Sequence, residues 1–240
     1  MLDEPVIFEE DGLFGLKSSD GTILISPHYG EICGFSDGYS MVYDTDGYAG
    51  LIDTQGNEIV PTIYDSITIP AEGYFVVGKE ETDDAGNYDI YYEFMHESGE
   101  STGWVFDYAE NFRERYARVS NGNDEYLLDL DGYLHSIVPY RFSYGEGFCE
   151  GRLMISLDGL YGYLDATLQV CTPCQYISIT DFEDGIALVQ HEDGHYSYIN
   201  RDGEIIEDNV HYTKPFEWDR EKASAFSSSS VTSSYQHDHI

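Results

Sequence analysis

One heptad pattern recurs along this chain at a fixed interval, and a fixed interval constrains a fold more tightly than any composition does. The clearest copies are Gly47-Tyr48-Ala49-Gly50-Leu51-Ile52-Asp53 and Gly159-Leu160-Tyr161-Gly162-Tyr163-Leu164-Asp165. Gly12-Leu13-Phe14-Gly15-Leu16 and Gly194-His195-Tyr196-Ser197-Tyr198-Ile199-Asn200 echo them. Gly15 and Gly50 stand 35 residues apart, as do Gly162 and Ser197. A unit this short cannot bury a hydrophobic face alone, so its neighbours must supply the other side of the core.

Two further landmarks keep the same phase. A turn glycine recurs at Gly21, Gly56, Gly99, Gly132 and Gly203, and glycine tolerates the positive φ that tight hairpins demand. Later comes an acidic aromatic turn: Phe35-Ser36-Asp37-Gly38, Phe148-Cys149-Glu150-Gly151 and Phe182-Glu183-Asp184-Gly185, with Ala71-Glu72-Gly73 and Phe112-Arg113-Glu114-Arg115 as variants. After it, alternate residues pair as Ser40 and Val42, Phe75 and Val77, Ala117 and Val119, Leu153 and Ile155, Ala187 and Val189. A period of two is that of a strand with one buried face. Between the second and third landmarks lies a Pro followed by Tyr (Pro27 and Tyr29, Pro61 and Tyr64, Pro139 and Tyr140, Pro173 and Tyr176), which suits a strand end or edge.

The expected fold is therefore all-β: about six tandem repeats of roughly 35 residues, forming an extended or curved array of antiparallel β-hairpin units. A closed β-propeller, with the partial sixth repeat pairing to the N-terminal residues, is the alternative. The repeats run over 11–44, 45–80, 86–120, 121–157, 158–191 and 192–218, within a single domain spanning 1–218. The third is degenerate, with an insertion around Glu80 to Asn87, and the sixth is partial. The Ser-rich tail over 219–240 has little to bury and is expected to be disordered.

These segments resemble bacterial WG repeats, also called KWG repeats, in their order of landmarks: Gly159 to Asp165 stands for the Trp-Gly element, and Phe182-Glu183-Asp184-Gly185 for the Phe-x-Glu-Gly turn. The resemblance covers roughly residues 11 to 218. Phe14, Ala49 and Tyr161 stand where that family typically has Trp. It implies a β-rich repeat module with no general set of catalytic residues.

Composition narrows the partners. Lys and Arg total 11 against 46 Asp and Glu, a formal charge of −35, which repels phosphate backbones and anionic lipid surfaces. Direct nucleic-acid binding is not expected. The acids are spread through turns and strand edges, as in an array that must keep many edges soluble. No basic region followed by an apolar run opens the chain, and no apolar stretch approaches 18 residues, so a cytoplasmic setting without membrane insertion is expected, or a secreted one if the chain is a fragment.

Motifs with chemical potential are few. Cys171-Thr172-Pro173-Cys174 has the spacing of half a zinc site or a redox dithiol, but no second Cys pair or close His pair completes it, and it occupies the Pro-Tyr element of its repeat. Cys33 and Cys149 read as small buried hydrophobes. Asp44-Thr45-Asp46-Gly47 and Asp129-Leu130-Asp131-Gly132 resemble fragments of calcium loops, yet Asp-Gly is also a hairpin signal and neither segment has the later bidentate Glu. Eight His are scattered, with His237 and His239 in the tail. Tyr48, Tyr91, Tyr92 and Tyr161 are candidates for a sugar-stacking or peptide-docking face, although the repeat itself calls for aromatics in the core.

No catalytic, cofactor-binding or metal-ligating residues are assigned at this stage, and no cofactor is expected. The leading expectation is a non-catalytic module that binds a protein or cell-surface ligand. The alternatives are a carbohydrate-active or other hydrolytic enzyme using acidic residues, and an acidic decoy of a nucleic-acid-binding protein.

Overall fold

The computed structural model describes residues 4–82, 86, 88–143, 145 and 147–210, with Tyr88 by its backbone only. The end of the sixth repeat, the Ser-rich tail, and His237 and His239 lie outside the described residues. Among the described residues there is no helix, and so none long and apolar enough to cross a membrane. The chain is all-β, and all of its strand pairs are antiparallel.

The strands form six small sheets in chain order. The first holds β1 (Val6–Glu10), β2 (Leu13–Lys17) and β3 (Ile23–Tyr29). The second holds β4 (Glu31–Ile32), β5 (Tyr39–Tyr43), β6 (Ala49–Asp53) and β7 (Glu58–Tyr64). The third is built from β8 (Ser66–Ile67), β9 (Tyr74–Thr82), β10 (Tyr88–His96) and β11 (Ser101–Phe106), and the fourth from β12 (Tyr108–Ala109), β13 (Tyr116–Asn121), β14 (Asp124–Asp129) and β15 (Leu134–Ser136). The fifth has β16 (Arg141–Phe142), β17 (Phe148–Cys149), β18 (Arg152–Leu157), β19 (Leu160–Asp165) and β20 (Val170–Tyr176). The sixth has β21 (Ser178–Ile179), β22 (Ile186–Gln190), β23 (Tyr196–Asn200) and β24 (Ile205–Val210). The chain divides after Ser136 into two compact units, a cut that falls inside the fourth repeat.

Sheets and sequence repeats are out of phase by half a unit. The repeat over 11–44 supplies the last two strands of the first sheet, β2 and β3, and the first two of the second, β4 and β5. Every later boundary repeats this arrangement, so most sheets are completed by the following repeat. The insertion near Glu80 lengthens a hairpin: β9 and β10 pair from Thr82↔Tyr88 down to Tyr74↔His96.

The alternating pairs behave as the period of two requires. Ser40, Val42, Phe75, Val77, Ala117, Val119, Leu153, Ile155, Ala187 and Val189 are all buried on the second strand of their sheets. In the N-terminal unit, core clusters lie between consecutive sheets: Leu16, Ile25, Val42 and Ile52 form one, Ala49, Leu51, Phe75 and Val77 the next, and Val76, Phe94, Phe112 and Leu128 the third. The C-terminal unit packs Met154, Tyr163, Phe182 and Val189 in the same way. This is how units too small to make a core each share one.

Two hairpin types recur. The acidic turns are two-residue loops with both central residues at positive φ, as at Asp37 (51°) and Gly38 (89°), closed by reciprocal bonds between Ser36 and Tyr39. Glu114 and Arg115 make the same turn with no glycine. Here the acidic side chain has a second task. Glu72 Oε2 accepts the Arg115 N–H of the next sheet's turn at 2.8 Å, and Glu150 Oε2 accepts the Gly185 N–H at 2.7 Å while pairing with Arg201 at 2.9 Å.

A second type is a three-residue loop with a left-handed residue before the returning strand, as where Gly47 N–H bonds Asp44 C=O and Asp44 N–H bonds Tyr48 C=O. In the loop from Asp165 to Gln169 that left-handed position is taken by Leu168, at φ 62°. Left-handed backbone costs a side-chain-bearing residue free energy that glycine does not incur, so Leu168→Gly is expected to stabilise the protein by about 0.5–1 kcal/mol and raise Tm by about 2–3 °C. A thermal melt of the variant that shows no rise would contradict this reading.

In three repeats proline lies inside the outer strand of its sheet, an edge position that suits its missing N–H. Pro27, Pro61 and Pro173 belong to β3, β7 and β20, at register shifts opposite β2, β6 and β19. A bulge in an outer strand releases the N–H that proline lacks. It also presses that backbone against the heptad glycine. A Cβ on Gly15 would lie 2.6 Å from Ile25 O, one on Gly50 2.7 Å from Val60 O, and one on Gly162 2.4 Å from Thr172 O and 2.7 Å from Cys174 N. None of these three glycines has positive φ, so space rather than dihedral freedom requires them.

Candidate functional site

The sixth sheet departs from the others at coupled positions, and there the polar side chains converge. The loop from His191 to His195 is equivalent to the loop from Asp44 to Tyr48: His191 N–H bonds His195 C=O, Gly194 N–H bonds His191 C=O, and Gly194 is left-handed. Ser197 pairs with Val189 as Gly50 pairs with Val42. On the outer strand β24, Asp208 takes the register position of Pro61 and Pro173, directly after Glu207, the partner of Tyr198. The close contact of glycine with a proline strand is thus exchanged for side chains that bond one another.

The network is specific. Ser197 Oγ donates to Asp208 Oδ1 at 2.6 Å, and because a hydroxyl has one proton, His191 Nε2, at 2.9 Å, must donate to Ser197 Oγ. His195 Nδ1 donates to Asp193 Oδ1, while its Nε2 lies 3.2 Å from Asp208 Oδ1. The two imidazoles stack with centroids 4.0 Å apart and planes 9° from parallel, and Tyr176 meets His191 edge-on. Hydrogen bonds from Ser197 and Asn209 N–H hold the Asp208 carboxyl below the usual carboxylate range, and bonds from His195 do the same for Asp193. Ser197 is fully buried and gives its proton to a carboxylate, an arrangement that fixes geometry around β23.

The motifs singled out from sequence are placed otherwise. Cys171 Sγ faces Tyr163 O at 3.3 Å and Cys174 Sγ faces Ile155 O at 3.9 Å, so the two thiols address the carbonyls of different strands. Cys149 Sγ faces Phe182 O. Burial raises the thiols of Cys33, Cys171 and Cys174 above their ordinary value, which disfavours the thiolate that redox chemistry needs. All four cysteines are free thiols.

Asp44 Oδ1 accepts the N–H groups of Asp46 and Tyr48, and Asp129 Oδ1 accepts those of Asp131 and Tyr133, with His135 on Oδ2 at 2.7 Å. Burial alone would raise the Asp129 carboxyl, but these bonds outweigh it and lower it. Both segments use their carboxylates to build turns. Tyr48 is exposed, whereas Tyr91, Tyr92 and Tyr161 are half-buried. Sequence reading passes over His191, His195 and Asp208. The available signal was a His-x-x-x-His pair bracketing Asp193-Gly194 in the repeat where Ser replaces Gly.

Comparison with known proteins follows the same landmarks. The family described as WG containing repeat matches residues 14–48, 50–82 and 161–194. No curated protein matches the chain. Among solved structures, apo AztD from Citrobacter koseri is similar with 14% identity and a TM-score of 0.38, covering 88% of this chain and 71% of its own. BamB from Moraxella catarrhalis is similar with 11% identity and a TM-score of 0.38, covering 87% of this chain and 74% of its own. The matched segments hold Gly15, Gly50 and Gly162, the glycines pressed against the outer strand, so three repeats of this chain match the WG containing repeat.

Proposed function

We propose that the chain is a non-catalytic interaction module that binds a basic protein or cell-surface ligand through outer-strand side chains of its N-terminal unit. One observation carries this reading. Ile63-Tyr64-Asp65 and Val105-Phe106-Asp107 occupy equivalent places at the ends of β7 and β11, and in each the aromatic packs inward while its neighbours face solvent. Ile63 is 48% exposed and Val105 47%. An exposed β-branched residue beside an exposed carboxylate, repeated from sheet to sheet, offers apolar anchors within an acidic surface, which is complementary to a partner with apolar pockets and a basic rim.

The test compares the wild-type chain with an Ile63→Asp, Val105→Asp double variant, both immobilised and exposed to extract of the cells that make the protein. The expected outcome is a partner retained by the wild type in a salt-dependent manner and lost at least tenfold from the variant, while the two chains melt alike. Retention of one set of proteins by both chains, or of none by either, would overturn the reading.

A further inference from the structure

We infer that His191, His195 and Asp208 form a binding site for one divalent transition-metal ion of the zinc class. One ring nitrogen of each histidine and one carboxylate oxygen of Asp208 lie within 4.8 Å of one another. Four-coordinate zinc, with bonds of about 2.1 Å, brings its ligand atoms to about 3.4 Å apart. The Nε2 of His195 and Oδ1 of Asp208 are already at that spacing, 3.2 Å. The remaining contraction is a side-chain adjustment within a hairpin loop and its neighbouring strand.

The proton on His195 favours a cation here, whereas His191 gives its Nε2 proton to Ser197 Oγ and must release it before that nitrogen can hold an ion. A carboxylate only accepts hydrogen bonds, so the bond between His195 Nδ1 and Asp193 Oδ1 places the ring proton on Nδ1. In the neutral imidazole the Nε2 lone pair then faces an Asp208 oxygen lone pair, and only a cation between the two atoms makes that contact favourable. A second proton is one such cation and a metal ion is the other. The Asp193–His195 bond is the arrangement by which metal-binding histidines are oriented, with a carboxylate on the nitrogen away from the ion. Ser197, buried and donating to Asp208, fixes the third ligand in the same way. The rings stack with centroids 4.0 Å apart, so one ion can be shared between them.

The donor set selects the class of ion. Two imidazoles with one carboxylate suit Zn²⁺, Co²⁺, Ni²⁺ or Cu²⁺, while Ca²⁺ and Mg²⁺ require oxygen ligands. Position supports the assignment independently of distance. His191, His195, Ser197 and Asp208 replace Asp44, Tyr48, Gly50 and Pro61 of the second sheet, so all four members of the network differ together. The ion would tie the loop between β22 and β23 to β24, the strand that lacks the contact between glycine and proline.

The experiment titrates the full chain with Co²⁺ and Zn²⁺, reading the visible spectrum of bound Co²⁺ and the ¹⁵N shifts of the imidazoles. The expected result is one ion per chain with the His191 and His195 nitrogens shifted. Affinity is expected to fall at least tenfold in His195→Gln and in the near-isosteric Asp208→Asn, and about tenfold in Asp193→Asn. It is expected to be unchanged in a His211→Gln, His237→Gln, His239→Gln triple variant. Absence of binding, binding that survives both His195→Gln and Asp208→Asn, or binding abolished by the triple variant would each overturn the site. The first outcome would assign the His195–Asp208 contact to a proton, and the other two would move the metal elsewhere.

Discussion

Gly162→Ala is expected to destabilise the C-terminal unit by about 3 kcal/mol, the upper range for forcing extra volume into a packed interior. The added methyl would meet Thr172 O at 2.4 Å and Cys174 N and Pro173 C at 2.7 Å, all backbone atoms of β20. Flexible side chains relieve such contacts by rotating, whereas a strand held by its ladder and its own bulge must shift as a whole. Gly15→Ala and Gly50→Ala are expected to cost less, because their closest contacts are 2.6 and 2.7 Å and part of the crowding comes from the side chains of Phe8 and Thr62. Native-state hydrogen exchange at the amides of Ile155 and Leu164 reads the C-terminal unit directly. A change below about 0.5 kcal/mol there would show that close backbone approach is not what keeps glycine in the heptad.

The second large effect is expected at Tyr163, which is fully buried, stacks edge-on with Phe182 at 4.9 Å and donates its hydroxyl proton to Thr180 C=O at 2.6 Å. Tyr163→Ala removes the ring from the cluster of Met154, Ile179, Phe182 and Val189 and is expected to cost about 4 kcal/mol. Tyr163→Phe keeps the ring but leaves a buried carbonyl unpaired, which costs about 1–2 kcal/mol. Urea unfolding of both variants separates the two contributions. Equal losses would mean that the hydroxyl dominates; no loss in Tyr163→Phe would mean that the bond to Thr180 contributes nothing.

Much of this architecture is written in local chemistry. Ser40 and Val42, or Leu153 and Ile155, point inward because strands alternate, and Asp37-Gly38 turns because both residues accept positive φ. What is not local was not legible. The offset between repeat and sheet depends on which hairpins share a ladder, and the Pro-Tyr element gives no hint that Pro173 would lie inside β20 against Gly162. The His191, His195 and Asp208 cluster requires the register of three strands and one shift between Tyr196 and Tyr198. A single-residue slip in β24 would turn Asp208 to the opposite face. Conversely, the signals at Asp129-Leu130-Asp131-Gly132 and Cys171-Thr172-Pro173-Cys174 were motif fragments whose atoms the backbone already uses.

The half-unit offset also bears on how such a chain could have grown. Duplicating or deleting 35 residues anywhere exchanges two half-sheets at once, yet the ladder is restored, because the incoming half presents the same edge as the outgoing one. Cutting between repeats, for instance after Asp44, instead leaves β4 and β5 facing solvent with no β6 to receive them. The unit that recurs in the sequence is therefore not the unit of hydrogen bonding: ladders end at joints such as Tyr29 to Glu31 that the repeating motif itself does not mark, and the cores still bridge those joints.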